Sequence, residues 1–122
     1  MTVCLVHGNP ETAAVWDRLA PLLDRGPVVR LSPPGFGAPV PPGFTATVEE
    51  YRRWLVAELE FFDQPVHLMG HDWGGAHVVN VAMTRPELMR SWVCTSSACS
   101  TRITGGTIAG RCGRPREPAR RR

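Results

Sequence analysis

Asp72 lies in the run Pro65-Val66-His67-Leu68-Met69-Gly70-His71-Asp72-Trp73-Gly74-Gly75-Ala76, two residues after one glycine and two before another. A short apolar stretch leads into it, and a segment of helical spacing, His77 to Arg85, follows. The order is strand, sharp turn, helix: a nucleophile elbow of G-x-S-x-G type with aspartate in the serine's place. The glycines have a steric job, because such a turn holds its central residue in a strained conformation and crowds its neighbours. Aspartates have a reference pKa of about 4 and are ionised at neutral pH, whereas a serine must first lose a proton to a base. A carboxylate raised above a sheet can therefore displace a leaving group from an sp3 carbon directly and form an ester. A plainer use of the same residues is a strand–turn–helix crossover in which the aspartate caps the helix N-terminus.

The surrounding elements decide between these uses. Thr2 to Val6 is a short apolar run, fit for a buried parallel strand, and His7-Gly8-Asn9-Pro10 ends it with turn chemistry. Trp16, Leu19, Ala20 and Leu23 fall at helical spacing and predict an amphipathic helix from about Thr12 to Asp24. Val28 to Leu31 reads as a second strand. The five prolines between Ser32 and Phe44 exclude helix there and stiffen a long loop. Thr47 with Glu50 reads as a capping box, and Val48, Tyr51, Leu55, Leu59 and Phe62 line one face of the helix that follows. Val66 to Met69 is the strand before the turn, Arg85-Pro86 stops the next helix, and Ser91 to Thr95 makes a fourth strand. Alternation of this kind predicts an α/β fold, with central parallel strands, right-handed crossovers and flanking helices. Ligands in such sheets bind at the carboxyl ends of the strands. The turns at Gly8-Asn9 and Gly70 to Gly74 both fall at carboxyl ends, which favours chemistry over capping.

Composition narrows the class. A chain of 122 residues makes one domain at most, and 43% hydrophobic residues are ordinary for a globular protein. Ser100 to Arg122 carries seven arginines and one glutamate, net +6, so the total of +3 leaves Met1 to Cys99 at −3. Lysine is absent, which points to a GC-rich coding bias rather than to a function. Cys4, Cys94, Cys99 and Cys112 show no C-x-x-C spacing and no paired histidines, so reduced thiols in a cytoplasmic protein are expected and metal binding is not. Neither a signal peptide nor a run of the roughly 20 apolar residues that span a bilayer is visible. The basic tail lacks interleaved aromatics and any nucleic-acid fold, and neither G-x-G-x-x-G nor G-x-x-x-x-G-K-[ST] occurs, so nucleic acid and nucleotides are not the expected partners.

His7-Gly8-Asn9-Pro10, the loop Pro34-Gly35-Phe36-Gly37 and Gly70-His71-Asp72-Trp73-Gly74-Gly75 together resemble the aspartate-nucleophile branch of the α/β-hydrolases, which contains haloalkane dehalogenases and epoxide hydrolases. The resemblance runs from about Thr2 to Ala98. It implies a partial α/β-hydrolase fold in which Asp72 is the nucleophile and the backbone N–H groups of Asn9 and Trp73 form the oxyanion hole. It also implies that the Trp73 indole and the Asn9 amide hold a departing halide, as two neutral donors inside an apolar pocket can. Asn9 leans toward a dehalogenase, since epoxide hydrolases usually carry an aromatic there. The expected substrate is a small apolar halide or epoxide, and no cofactor is called for. An esterase is the weaker hydrolase reading, because Asp72 replaces serine. His7 and His71 are expected to be structural, His67 and His77 have nothing to recommend them, and Trp16 and Trp54 are expected in the core.

The resemblance also implies a histidine to activate water, an acid to orient it and cap helices over the pocket, all after the fourth strand. None of these can be found. The expectation is therefore an N-terminal part of a hydrolase core over residues 1–99 and an Arg/Gly-rich tail over 100–122, disordered or read in a shifted frame. A shifted frame can be back-translated to Asp-Pro-Asp-Tyr-Arg-Trp-His-Asp, which resembles the cap entrance of this branch and suggests a frameshift near residue 100. The alternative to a catalytic fragment is a non-catalytic remnant or a binding protein that uses its basic tail.

Overall fold

The computed structural model describes residues 1–96 and the backbone of residues 99–103. Four consecutive apolar residues form β1 (Val3–Val6), and Cys4, Leu5 and Val6 are fully buried. The strand β2 (Val28–Leu31) pairs parallel on one side of it, in the register Val3↔Val28 to Val6↔Leu31. On its other side lies β3 (Val66–His71), parallel, with Val6 opposite Gly70. β4 (Met89–Ser96) continues the parallel set beyond β3, and β5 (Cys99–Ile103) closes that side antiparallel to β4. The order is β2-β1-β3-β4-β5. The chain therefore leaves the centre in one direction after β1 and in the other after β2. That reversal lies between the carboxyl ends of β1 and β3, where open α/β sheets place their ligands.

Two helices cover one face. In α1 (Val48–Glu60) Thr47 caps the N-terminus, its Oγ1 accepting from the Glu50 N–H at 3.2 Å. The reciprocal half of the expected capping box does not form, because the Glu50 carboxylate pairs with Arg53 at 3.1 Å instead. Tyr51, Leu55 and Leu59 are buried, while Val48 sits off the stripe and is exposed. α2 (Trp73–Thr84) buries Val78, Val81 and Ala82 against the same core, which also holds Cys4, Val6, Leu31, Val66, Leu68 and Met89. Burial pushes the Cys4 thiol up to about 12, with Glu58 adding to the effect. A thiol so placed is inert packing, not a nucleophile. No helix among the described residues is long and apolar enough to cross a membrane.

Three expectations are corrected. The predicted helix from Thr12 to Asp24 is two short 3-10 turns, Ala13–Trp16 and Ala20–Leu22. Pro21 is the cause: it has no N–H to give and its ring collides with the carbonyl four residues back, so one continuous helix cannot pass through it. Only Trp16 of that segment is buried, and Leu22 faces solvent. Helix α1 ends at Glu60, before Phe62. The expectation of no element after Ser100 is also wrong for its first residues, because β5 runs across that position to Ile103. The rest of the expected tail, 104–122, lies outside the described residues.

Leu55, wholly buried between α1 and the sheet, gives the fold its test. Truncation to alanine removes apolar contacts and leaves a cavity, so Leu55→Ala is expected to lower stability by about 2–5 kcal/mol in urea denaturation.

Candidate active site

One residue separates β3 from α2, and it is Asp72. To reverse direction in that space its backbone adopts φ 54° and ψ −125°, a region that side-chain-bearing residues rarely occupy. The flanking glycines permit the turn by close approach. A Cβ on Gly74 would overlap the carbonyl oxygen of Val6 at the end of β1, and one on Gly70 would overlap the carbonyl of Gly74. A Cβ on Gly8 would strike the Asp72 carboxylate itself. The turn after β1 and the turn after β3 are thus in van der Waals contact.

The Asp72 side chain makes no capping bond to α2. Its Oδ2 instead accepts from the backbone N–H of Asn9, 63 residues earlier, at 3.3 Å. The helix entrance is held by the Asp72 carbonyl, which accepts from Gly75 at 3.0 Å and Ala76 at 3.3 Å. The carboxylate remains solvent-exposed at the carboxyl end of the sheet. Trp73, the first helical residue, is half exposed, and its N–H belongs to the first turn, which has no intrahelical acceptor. The Asn9 Oδ1 is buried without a partner, and the Asn9–Pro10 peptide is cis. The structure therefore brings Asp72, Asn9 and Trp73 together at one point.

The histidines are fixed by their surroundings. His7 is fully buried, with Nδ1–H donating to the Gly8 carbonyl at 2.9 Å and Nε2 3.1 Å from the Ser32 hydroxyl. It ties the turn after β1 to the start of the proline-rich loop. His67 pairs with Ser91 on the neighbouring strand at 2.6 Å. His71 pairs through Nδ1 with the Thr95 hydroxyl at 2.9 Å, and its Nε2 lies 3.4 Å from a Glu11 carboxylate oxygen. The other oxygen of Glu11 accepts from the Gly8 N–H at 3.2 Å. Glu11 thereby braces both turns, a role the sequence reading missed. Its signal was an acidic residue directly after the Gly8-Asn9-Pro10 turn.

His77 was also passed over, and it is the most unusual of the four. Its ring is 3% exposed and stacks on Tyr51 at 4.8 Å and 18°, while its Nε2 is buried with no partner. Burial pushes its pKa down to about 4. Two clefts of about 340 and 360 Å³ lie at the opposite, amino end of the strands, around Met1, Leu22 and His67 and around Met1, Phe62 and Arg90. Asp24, Arg25 and His67 line the first and Asp63, Gln64 and Arg90 the second, all at the end of the sheet away from Asp72. Among the described residues no group of three or more His, Cys, Asp or Glu is placed to hold a metal ion.

The model of the alpha/beta hydrolase family matches residues 5–122. The chain belongs to the alpha/beta hydrolase family. It is 37% identical over 82 residues to the probable oxidoreductase EphD of Mycobacterium tuberculosis, covering 63% of this chain and 14% of that protein. It is 30% identical over 95 residues to a haloalkane dehalogenase of Bradyrhizobium diazoefficiens, covering 72% of this chain and 29% of the dehalogenase. Among solved structures, a serine hydrolase of carbazole degradation, CarC, superposes with a TM-score of 0.71 at 28% identity, over 81% of this chain and 41% of CarC. The chain thus spans less than a third of the curated relatives quoted and under half of that structure.

Acid titration tests the His77 environment. The unfolded chain binds a proton at the ordinary value of 6.5, and the folded chain does not until about 4. Stability is therefore expected to fall as pH drops from 6.5 toward 4 and to level off below, a loss of about 3 kcal/mol from this group. Urea denaturation of the wild type and of His77→Phe should show this slope in the first and not in the second.

Proposed function

We propose that this chain carries the nucleophile half of a hydrolase that attacks small apolar halides or epoxides through Asp72. The observation that carries the reading is the strained Asp72 turn, whose carboxylate caps nothing and is held by the Asn9 N–H of the facing turn. A structural aspartate at a helix start bonds that helix. This one spends its side chain outward, at the point where the strand order reverses. Relatives named as a haloalkane dehalogenase and as a bifunctional epoxide hydrolase support the substrate class.

In the first step an Asp72 oxygen attacks the sp3 carbon, the carbon–leaving group bond breaks, and the leaving group departs with its electron pair. Trp73 Nε1–H and the Asn9 amide are the donors for that developing anion; Trp73 follows Asp72 directly in the chain and is half exposed. In the second step water adds to the ester carbonyl while the N–H groups of Asn9 and Trp73 stabilise the oxyanion on Asp72. That step needs a general base. His7, His67 and His71 hold hydrogen bonds within the fold and His77 is enclosed in a ring stack. The reading for this chain is therefore ester formation without turnover, in the cytoplasm, with no cofactor.

Incubation with a bromoalkane, followed by intact-mass and peptide analysis, tests the reading. One alkyl group per chain on Asp72 is expected, with one bromide released and none further. Asp72→Asn should take up no label. Asn9→Ala should slow labelling by about tenfold or more, the loss of one hydrogen bond to a charged group. Absence of label on the wild type, label on Asp72→Asn, or sustained bromide release would each overturn it.

A further inference from the structure

The described residues contain a row of four rings. The Phe44 ring meets Tyr51 edge-on at 4.9 Å, Tyr51 stacks on His77 at 4.8 Å, and His77 lies 6.4 Å from Trp73 at a tilt of 33°. The row is anchored at its second ring: Tyr51 is buried in α1 and its hydroxyl donates to the Pro34 carbonyl at 2.9 Å. The near end is the half-exposed indole of Trp73, the residue that follows Asp72. Between Trp73 and His77 come Gly74, Gly75 and Ala76, which offer no side-chain surface beyond a methyl. Residues four apart on a helix lie one above the other. His77 is thus the first large side chain on α2 that can limit how the indole turns.

We propose that His77 is a positioning residue for the Trp73 indole, setting its rotamer against Tyr51 and so coupling the proline-rich loop to the leaving-group side of the site. The proposal rests on the reading of Trp73 as a leaving-group donor. Its independent support is the partnerless Nε2 of His77, because no hydrogen bond in the described residues explains a buried imidazole there. The ring is retained by its faces rather than by its nitrogens. A phenyl ring can replace it in that role, and an aliphatic side chain of similar volume cannot.

Two measurements on the full chain separate this proposal from the functional reading. The first is the set of four tryptophan indole N–H signals in nitrogen-15 correlation spectra, with Trp73 assigned by its disappearance in Trp73→Phe. His77→Leu is expected to shift or broaden the Trp73 signal while leaving the other three in place, and His77→Phe to restore it. Should His77→Leu fail to fold, His77→Met is a second ringless variant. An unmoved Trp73 signal, or movement of all four signals together, overturns the proposal. The second is the rate of ester formation with matched bromo- and chloroalkanes. Loss of leaving-group alignment should slow the chloride about fivefold more than the bromide in His77→Leu, a difference of about 1 kcal/mol, with His77→Phe close to wild type. Equal slowing of both halides overturns the positioning role. A wild type that forms no ester overturns the functional reading, and the indole signals alone then decide on His77.

Discussion

The contact on which this structure depends is the one between two turns, Gly8-Asn9 after β1 and Gly70 to Gly74 around Asp72. Gly74 approaches the Val6 carbonyl so closely that no side chain fits, and Gly8 lies against the Asp72 carboxylate. The approach is possible because β1 and β3 are direct neighbours, with Val6 opposite Gly70. Parallel pairing aligns their carboxyl ends, and the register brings both turns to the same height. Left-handed strain at Asp72 of order 1–3 kcal/mol is then supported by two buried strands and a helix rather than by the turn itself. Glu11 adds a clamp from outside, with one carboxylate oxygen on Gly8 and the other toward His71.

Much of this was legible in the sequence because it depended on residue types with one physical use. Glycines at fixed spacing around Asp72 have few explanations other than close backbone approach. Apolar runs of four to six residues between helical patterns specify a parallel sheet, and the four parallel strands appear at or within about two residues of their expected bounds. The Thr12 to Asp24 segment failed because its apolar spacing was given more weight than Pro21, although a proline in that position interrupts a helix whatever the pattern around it. β5 was missed because a five-residue edge strand carries too little periodicity to stand out from a loop.

The site divided in the same way. Asn9, Asp72 and Trp73 could be placed together because they belong to the two turns, and a turn at a strand's carboxyl end has only one place to go. Tyr51 and His77 could not, since their roles come from long-range contacts, and Glu11 shows locally only its bond to Gly8 and not its reach to His71. His77 is informative in this respect. On a helical wheel it is one more position near the buried stripe, and only the arrival of Tyr51 from α1 makes it a ring enclosed on two sides. A polar ring in that place lowers acid stability, and an aliphatic residue would pack there without that cost.

The two faces of the sheet make a further distinction. β3 alternates strictly, with Val66, Leu68 and Gly70 buried under the helices and His67, Met69 and His71 only partly covered. On that second face the cross-strand neighbours are His67 with Ser91 and His71 with Thr95, each joined by a hydrogen bond. A parallel sheet fully sandwiched between helices tends to be apolar on both faces. Here the helix-covered face holds the larger core, while the other buries Leu5 and Trp16 and also carries the imidazole–hydroxyl pairs. The stability of the Asp72 turn is thereby referred to the helix side, through Gly70, Gly74 and the core beneath α2. The second face contributes orientation, because His71 directly precedes Asp72 and is held between Thr95 and Glu11. Packing and aim are assigned to opposite faces of the same strand.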